Sequence, residues 1–265
     1  MIEKAIVTFI DILGYKNIIE KHMHNLTVIQ NMELVFAHST MGLLEKIKDR
    51  PFIKSVYQEY KNKIVDLIKI RVISDTIIFT IPISDISFKN PVEEGKTISD
   101  CIVLYFYFIS MFSTLFISRT GCLLRGGIAI GPHYESDLKK GNGNFFIFSR
   151  AYVDAYLLEK KSENPRIVID SKLISYLTEL PFEDVDRFIF QDVDGKRCFN
   201  FYAHIDHISD NYKMVLSEIK KALELQMTRF AKDAEILAKL NYFARYHNTK
   251  VSEQQLNCKE LTIKL

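Results

Sequence analysis

Residues 5–10, Ala-Ile-Val-Thr-Phe-Ile, are a near-continuous apolar run that ends in one carboxylate, Asp11, with a glycine three positions later. Such a run is the signature of a buried central strand, so the rest of the chain must supply elements to cover it. Asp11 then emerges at the strand end, where core meets solvent and a carboxylate is open to cations. Gly14 allows the backbone to turn sharply there. The N–H groups of Leu13, Gly14 and Tyr15 can converge on phosphate oxygens at the start of the next helix.

The chain is long enough to bury a full core: 265 residues, 48% hydrophobic and 26% charged. Its 35 basic and 33 acidic residues leave a net charge of +2, too balanced for nucleic acid or a membrane surface to be the main partner. Any anion site must therefore be local. The richest apolar stretch, residues 101–117, contains Ser110 and Ser113 and falls short of the roughly 18 uninterrupted apolar residues of a membrane span, so it reads as a core helix. The N-terminus lacks a basic segment followed by an apolar run, which predicts a cytoplasmic address. Cys101, Cys122, Cys198 and Cys258 are scattered singly, the pattern of reduced thiols rather than of a disulfide framework or a zinc site. The seven histidines show no metal-ligand spacing, and the pairs His22/His24 and His204/His207 are expected to face solvent.

Apolar spacing over residues 16–48 predicts one short and one long helix. Residues 49–63 read as a polar stretch leading to a strand over 64–73. Ser74-Asp75-Thr76 interrupts that pattern and residues 77–81 resume it, which predicts a hairpin with an acid at its tip. A loop is expected at 84–96 and a helix at 97–118. Residues 122–131 then form a strand with the glycine pair Gly126-Gly127, where glycine marks a bulge or a close backbone approach. Residues 133–144 read as a mobile polar loop, 151–161 as a helix and 166–169 as a strand. A second hairpin is expected over 187–202, turning at Asp194-Gly195. The amphipathic pattern over 209–246 would exceed roughly 50 Å as one helix, so it must break or project to a partner.

Asp11 and Asp75 thus stand at strand ends that can share one edge of one sheet. Two carboxylates beside a backbone amide cradle meet the needs of a two-metal phosphoryl-transfer site: one ion activates a hydroxyl and the other neutralises phosphate charge. The competing reading makes each acid an ordinary cap or turn former.

Several blocks resemble a known family. Phe9-Ile10-Asp11-Ile12-Leu13-Gly14-Tyr15 is similar to the Phe-x-Asp-Ile-x-Gly-Phe signature of class III nucleotide cyclases, and Ile73-Ser74-Asp75-Thr76 to their second metal-aspartate turn. Leu124-Arg125-Gly126-Gly127-Ile128-Ala129-Ile130-Gly131, residues 151–159 and Pro165-Arg166-Ile167-Val168-Ile169-Asp170 continue the match. These later blocks look more like the pyrimidine cyclases of bacterial antiphage systems, the Pycsar cyclases, than like adenylate cyclases. The ordered blocks span about residues 4–170, and the likeness is looser over residues 241–247.

The resemblance implies a two-layer α/β fold with a βαββαβ-type core, a mainly antiparallel sheet and helices on one face. Residues 1–203 would be the catalytic domain, and 204–265 a helical C-terminal extension packing on that domain or on a dimer partner. It implies that Asp11 and Asp75 hold two Mg²⁺ or Mn²⁺ ions with the Ile12 carbonyl as a further ligand. Leu13, Gly14, Tyr15 and Lys16 would cradle the β and γ phosphates. Arg71 falls where class III adenylate cyclases carry a base-reading lysine; a guanidinium is a rigid fork, which suits a base other than adenine. The alternative for Arg71 is a strand-surface arginine paired with an acid.

The family's transition-state Asn and Arg fall at Val153 and Leu157, whose side chains donate no hydrogen bond. Arg125, Arg150 and Arg166 are the candidate replacements for the lost cation, each with a structural role as its alternative; Arg125 is the choice for a catalytic role. Tyr152 and Tyr156 sit near a nucleobase or dimer seam on one reading and in ordinary packing on the other. The implied activity converts UTP, or CTP, to the 3′,5′-cyclic monophosphate and pyrophosphate in a homodimer. The product would be a second messenger read by a separate effector, with no nucleic acid or membrane partner. The alternatives are an adenylate or guanylate cyclase and an inactive nucleotide-binding module.

Overall fold

In the computed structural model, residues 1–49, 58–83, 91–138, 145–180, 185–205, 212–253 and 259–264 are described. The expected run takes shape as β1 (Glu3–Ile12), whose residues Ala5 to Ile10 are all buried. Helices α1 (Tyr15–His22), α2 (Leu26–Ser39), α3 (Met41–Asp49) and α4 (Gln58–Leu67) follow, then the hairpin β2 (Lys69–Ile73) and β3 (Thr76–Pro82). Next come α5 (Pro91–Thr120), β4 (Leu124–Asp137), β5 (Phe145–Ser149), α6 (Arg150–Lys160) and β6 (Ile167–Ile169). The chain ends with α7 (Ser171–Glu179), α8 (Val185–Phe188), β7 (Ile189–Gln191), β8 (Arg197–Phe199), α9 (Tyr212–Arg229), α10 (Ala234–Glu253) and a 3₁₀ turn at Lys259–Leu261.

The βαββαβ order is present in β1 to β4, and the sheet order β2-β3-β1-β4-β6-β8-β7 sets β3 between β1 and β2, the split βαβ arrangement. β1 with β3, β2 with β3, β4 with β5, β6 with β8 and β7 with β8 run antiparallel, while β4 and β6 run parallel. The fold is mixed α/β with a mainly antiparallel sheet.

Successive residues of a strand face opposite sides of its sheet, and Thr8 and Phe9 show what covers each side of β1. Thr8 Oγ1 lies 2.7 Å from the Tyr105 hydroxyl of α5, which is also 3.0 Å from the Phe79 carbonyl. A carbonyl only accepts, so the Tyr105 proton goes to it and the Thr8 hydroxyl donates in return. Phe9 meets Tyr152 and Tyr156 of α6 edge-on, at ring-centroid distances of 5.7 and 5.4 Å. Helices therefore stand on both faces of β1 rather than on one, as a strand apolar on both sides demands. The tyrosine pair packs on the sheet.

Gly126 and Gly127 set the depth of β4. A methyl group on Gly126 would strike the Phe9 carbonyl, and one on Gly127 would strike the Ala155 carbonyl and lie 2.7 Å from Leu158 Cβ. The glycine pair therefore marks the close approach of β4 to β1 and α6.

Several expected elements take other forms. Residues 64–67 end α4 instead of starting a strand: the adjacent Ile64 and Val65 are both buried, which one helix face allows and the alternating faces of a half-buried strand would split. α5 begins at Pro91 within the expected loop; proline is tolerated at a first helical position, where its missing N–H has no intrahelical acceptor. Its apolar span Thr97–Thr120 is mostly buried, which makes it the core helix. Residues 133–137 continue β4 and pair with β5, so that part of the expected mobile loop is strand; 139–144 lie outside the described residues. The pattern over 209–246 breaks between α9 and α10.

The chain divides into two compact units, each discontinuous in sequence. One comprises Met1–Asp11, Lys48–Phe106 and Arg125–Asn200; the other comprises Ile12–Ile47, Tyr107–Leu124 and Phe201–Leu265. In the first, the buried Arg166 ion-pairs with Asp192 and, at 2.6 Å, with Asp194, tying β6 to the turn of the β7–β8 hairpin. In the second, His204 is buried, contrary to the solvent-facing expectation. Its Nδ1 lies 2.7 Å from Ser110 Oγ and its Nε2 3.3 Å from Thr114 Oγ1, and burial pushes its pKa down to about 3. His207 and Cys258 lie outside the described residues.

Candidate active site

The register of β1 against β3 pairs Asp11 with Thr76, and the β2–β3 hairpin turns through Ser74 and Asp75. Asp11 and Asp75 therefore stand at the same edge of the sheet, as their sequence positions suggested. Ser74 holds φ 58, a left-handed conformation that costs a non-glycine residue of order 1 kcal/mol or more. The turn that presents Asp75 is thus locally strained and held by the paired strands on either side.

Arg125 on β4 completes the cluster. One of its nitrogens, Nη2, lies 3.2 Å from Asp11 Oδ2 and 2.6 Å from Glu159 Oε1 of α6. Nη1 donates to the Ser162 carbonyl at 3.2 Å. Partial burial raises the Asp11 pKa, Arg125 opposes that shift and the nearby charge of Asp75 adds to it. Burial likewise raises Glu159; Arg125 again opposes, and both Asp11 and Asp75 add to the rise. Three carboxylates thus feel one another around one guanidinium, and the cluster is short of positive charge.

A divalent ion would supply the missing charge. Among the described residues no group of three or more His, Cys, Asp or Glu side chains is arranged to hold a metal alone. Asp11 and Asp75 nonetheless offer hard oxygen donors, of the type Mg²⁺ and Mn²⁺ take in ones and twos when phosphates and water fill the remaining positions. Burial raises the Asp11 carboxyl and the Asp75 charge adds to the rise, and a cation beside both acids would offset it. The residues present fit such ions.

Ile12, the proposed carbonyl ligand, is the last residue of β1. Of the expected cradle, Leu13 spends its N–H on the Leu123 carbonyl at 2.9 Å, which removes it as a phosphate donor. Gly14 takes φ 84 and precedes α1 with no side-chain cap on that helix. Tyr15 sets its ring edge-on to Phe36, and the exposed Lys16 lies 3.6 Å from Glu20. Leu13, Gly14 and Lys16 line a cavity of about 440 Å³ that also takes in Lys21 of α1 and Arg229 and Phe230 at the end of α9.

Arg71 on β2 takes the acid-paired alternative. Its Nη2 lies 2.6 Å from Glu135 Oε1 and its guanidinium covers the Phe145 ring at 5.0 Å. Burial alone would raise the Glu135 pKa, but a hydrogen bond from His133 and the charges of Arg71 and Lys69 outweigh it and hold the carboxyl below its usual value. His133 is fully buried, 3.5 Å from Glu135 Oε2. About a quarter of the Arg71 side chain remains exposed. Of the other cation candidates, Arg150 is exposed and pairs with Asp154 at 2.9 Å, while Arg166 is committed to Asp192 and Asp194. Arg125 alone of the three touches Asp11.

Sequence reasoning assigned nothing to Glu159, Glu135 or His133. Alternation of His133 and Glu135 with Tyr134 was the available sign of a strand. Glu159 stood in a quoted motif without a role, because its partner Arg125 lies 34 residues away and no local pattern connects them.

No family model and no curated protein matches the chain. Its fold was also compared with solved structures. A guanylyl cyclase domain from the aquatic fungus Blastocladiella emersonii aligns with a TM-score of 0.44 at 13% identity, covering 75% of this chain and 93% of that one. The guanylate cyclase domain from Catenaria anguillulae, solved with GTP, aligns at 0.40 and 13%, over 74% of this chain and 93% of that one. A class III adenylyl cyclase-like ATP-binding protein from Pseudomonas aeruginosa aligns at 0.45 and 14%, over 78% of this chain and 40% of its own length.

Proposed function

We propose that this chain is a nucleotide cyclase of the class III type that turns a pyrimidine triphosphate, UTP first and CTP next, into its 3′,5′-cyclic monophosphate and pyrophosphate. The carrying observation is the in-register placement of Asp11 beside the Asp75 turn, with Arg125 on the same carboxylate. In the reaction, the ribose 3′-oxygen bonds to the α-phosphorus, the bond from that phosphorus to the β-bridging oxygen breaks, and the 3′-hydroxyl proton passes to solvent. Two Mg²⁺ or Mn²⁺ ions, held by Asp11, Asp75 and the Ile12 carbonyl, would acidify that hydroxyl and neutralise phosphate charge.

The chain's own groups do the rest. Gly14, Tyr15 and Lys16 bind the β and γ phosphates at the start of α1, where Gly14 and Lys16 open on a cavity with further basic side chains. Arg125 stabilises negative charge that gathers on the α-phosphate. Arg71 spends one nitrogen on Glu135 and stacks on Phe145, and the quarter of its side chain left exposed would be what meets the O2 carbonyl that uracil and cytosine share. A homodimer is supported by the apolar side of α6 left open by Val153 (42% exposed), Tyr156 (37%) and Leu157 (39%). The product would act in the cytoplasm as an antiphage second messenger through a separate effector.

The reaction type is tested by mass balance. With UTP and Mn²⁺, purified protein is expected to release pyrophosphate and cyclic UMP one to one. Release of inorganic phosphate with UDP contradicts the cyclase reading and makes the chain a triphosphatase, and no turnover with any triphosphate leaves a nucleotide-binding module.

A further inference from the structure

Arg125 is held in an unusual way for a structural arginine. Asp11 and Glu159 share one of its nitrogens instead of taking the two edges of the guanidinium, and the Glu159 contact is the shorter, 2.6 against 3.2 Å. Glu159 Oε1 is buried and meets no hydrogen-bond geometry, and Arg125 Nε is buried with no acceptor. Arg125 donates hydrogen bonds to Asp11 and to the Ser162 carbonyl from separate nitrogens, and Glu159 holds it by charge, so how closely the guanidinium sits on Asp11 depends on how the two acids compete for Nη2. The two carboxylates come from different elements, β1 and α6, and Arg125 contacts both.

We propose that Glu159 is a positioning residue for the metal-binding step: it retains Arg125 so that the guanidinium can release Asp11 to a divalent cation without leaving the site. Arg125 is then a place-holding cation on Asp11, and Glu159 the partner it keeps. Without Glu159, the arginine settles fully on Asp11 and competes with the incoming ion. This inference rests on the reading of Asp11 as a metal ligand and assigns Glu159 no contact with the ion.

A double-mutant cycle read by Mn²⁺ binding separates the possibilities, with calorimetric titration of the intact protein in place of an activity assay. Glu159→Gln is expected to weaken Mn²⁺ binding about tenfold, and Arg125→Gln to strengthen it, because the competing cation is gone. In the Arg125→Gln background, Glu159→Gln is expected to change binding by less than about twofold. An equal tenfold loss in both backgrounds overturns the proposal, because Glu159 then acts on the ion directly. Unchanged Mn²⁺ binding in Glu159→Gln with a lowered melting temperature also overturns it, leaving a structural tie between α6 and β4. If Glu159→Gln does not fold, Glu159→Asp, which keeps the charge and shortens the reach, should show a smaller loss in the same direction. Should the wild type bind no Mn²⁺ that Asp11→Asn abolishes, the metal reading fails together with this inference; if only the cycle fails, the metal reading stands.

Discussion

Asp11→Asn is expected to reduce cyclic-nucleotide formation at least about a thousandfold while leaving the fold intact. The substitution keeps the size of the side chain and removes the charge that the proposed ions need. It also relieves a carboxyl whose pKa is raised by burial and by Asp75, so the melting temperature should stay the same or rise. Asp75→Asn should lose activity comparably, and the double variant should be little worse than either single one, because groups that act as a unit do not add. Turnover measured beside thermal melts checks both halves. A variant that loses activity only because it melts early would remove the catalytic argument.

Gly127→Ala is expected to cost about 3 kcal/mol, a drop of roughly 6–12 °C in melting temperature for a chain of this size. The added methyl meets the Ala155 carbonyl and Leu158 Cβ, both fixed in α6, so neither can turn aside as a flexible side-chain end would. Relief requires α6 to move off β4, which would also disturb the Arg125–Glu159 contact between those elements. Thermal melts monitored by circular dichroism measure the effect, and a melting point within a degree or two of wild type would mean that the two elements are not held so closely.

The parts that were legible in the sequence are those written in short-range patterns. Apolar residues 5–10 announced the central strand, the Ser74-Asp75 break announced a hairpin tip, and the glycine pair announced a close approach. Each acid was legible at its own strand end, and the β1–β3 register then sets Asp11 opposite Thr76, next to Asp75. What escaped depends on partners far along the chain. His133 and Glu135 looked like loop residues because a single sequence does not show Arg71 arriving at 2.6 Å to pair with a buried carboxylate. His204 looked solvent-facing because Ser110, its partner, lies 94 residues earlier. Ile64 and Val65 are β-branched yet lie in a helix, since burying the two neighbours together on one helix face outweighs a propensity difference well under about 1 kcal/mol per residue. The cradle was half legible: Gly14 turns as expected, but the Leu13 N–H goes to Leu123, a residue no local pattern connects to it.

The proposed selectivity for pyrimidines is tested most directly by a competition among substrates. Purified protein is given UTP, CTP, ATP and GTP together at equal concentration with Mn²⁺, and the cyclic products are identified by mass. Cyclic UMP as the main product, with cyclic CMP second and both absent in Asp11→Asn, is the predicted result. Cyclic AMP or cyclic GMP as the sole product would contradict the account and make the chain a purine cyclase.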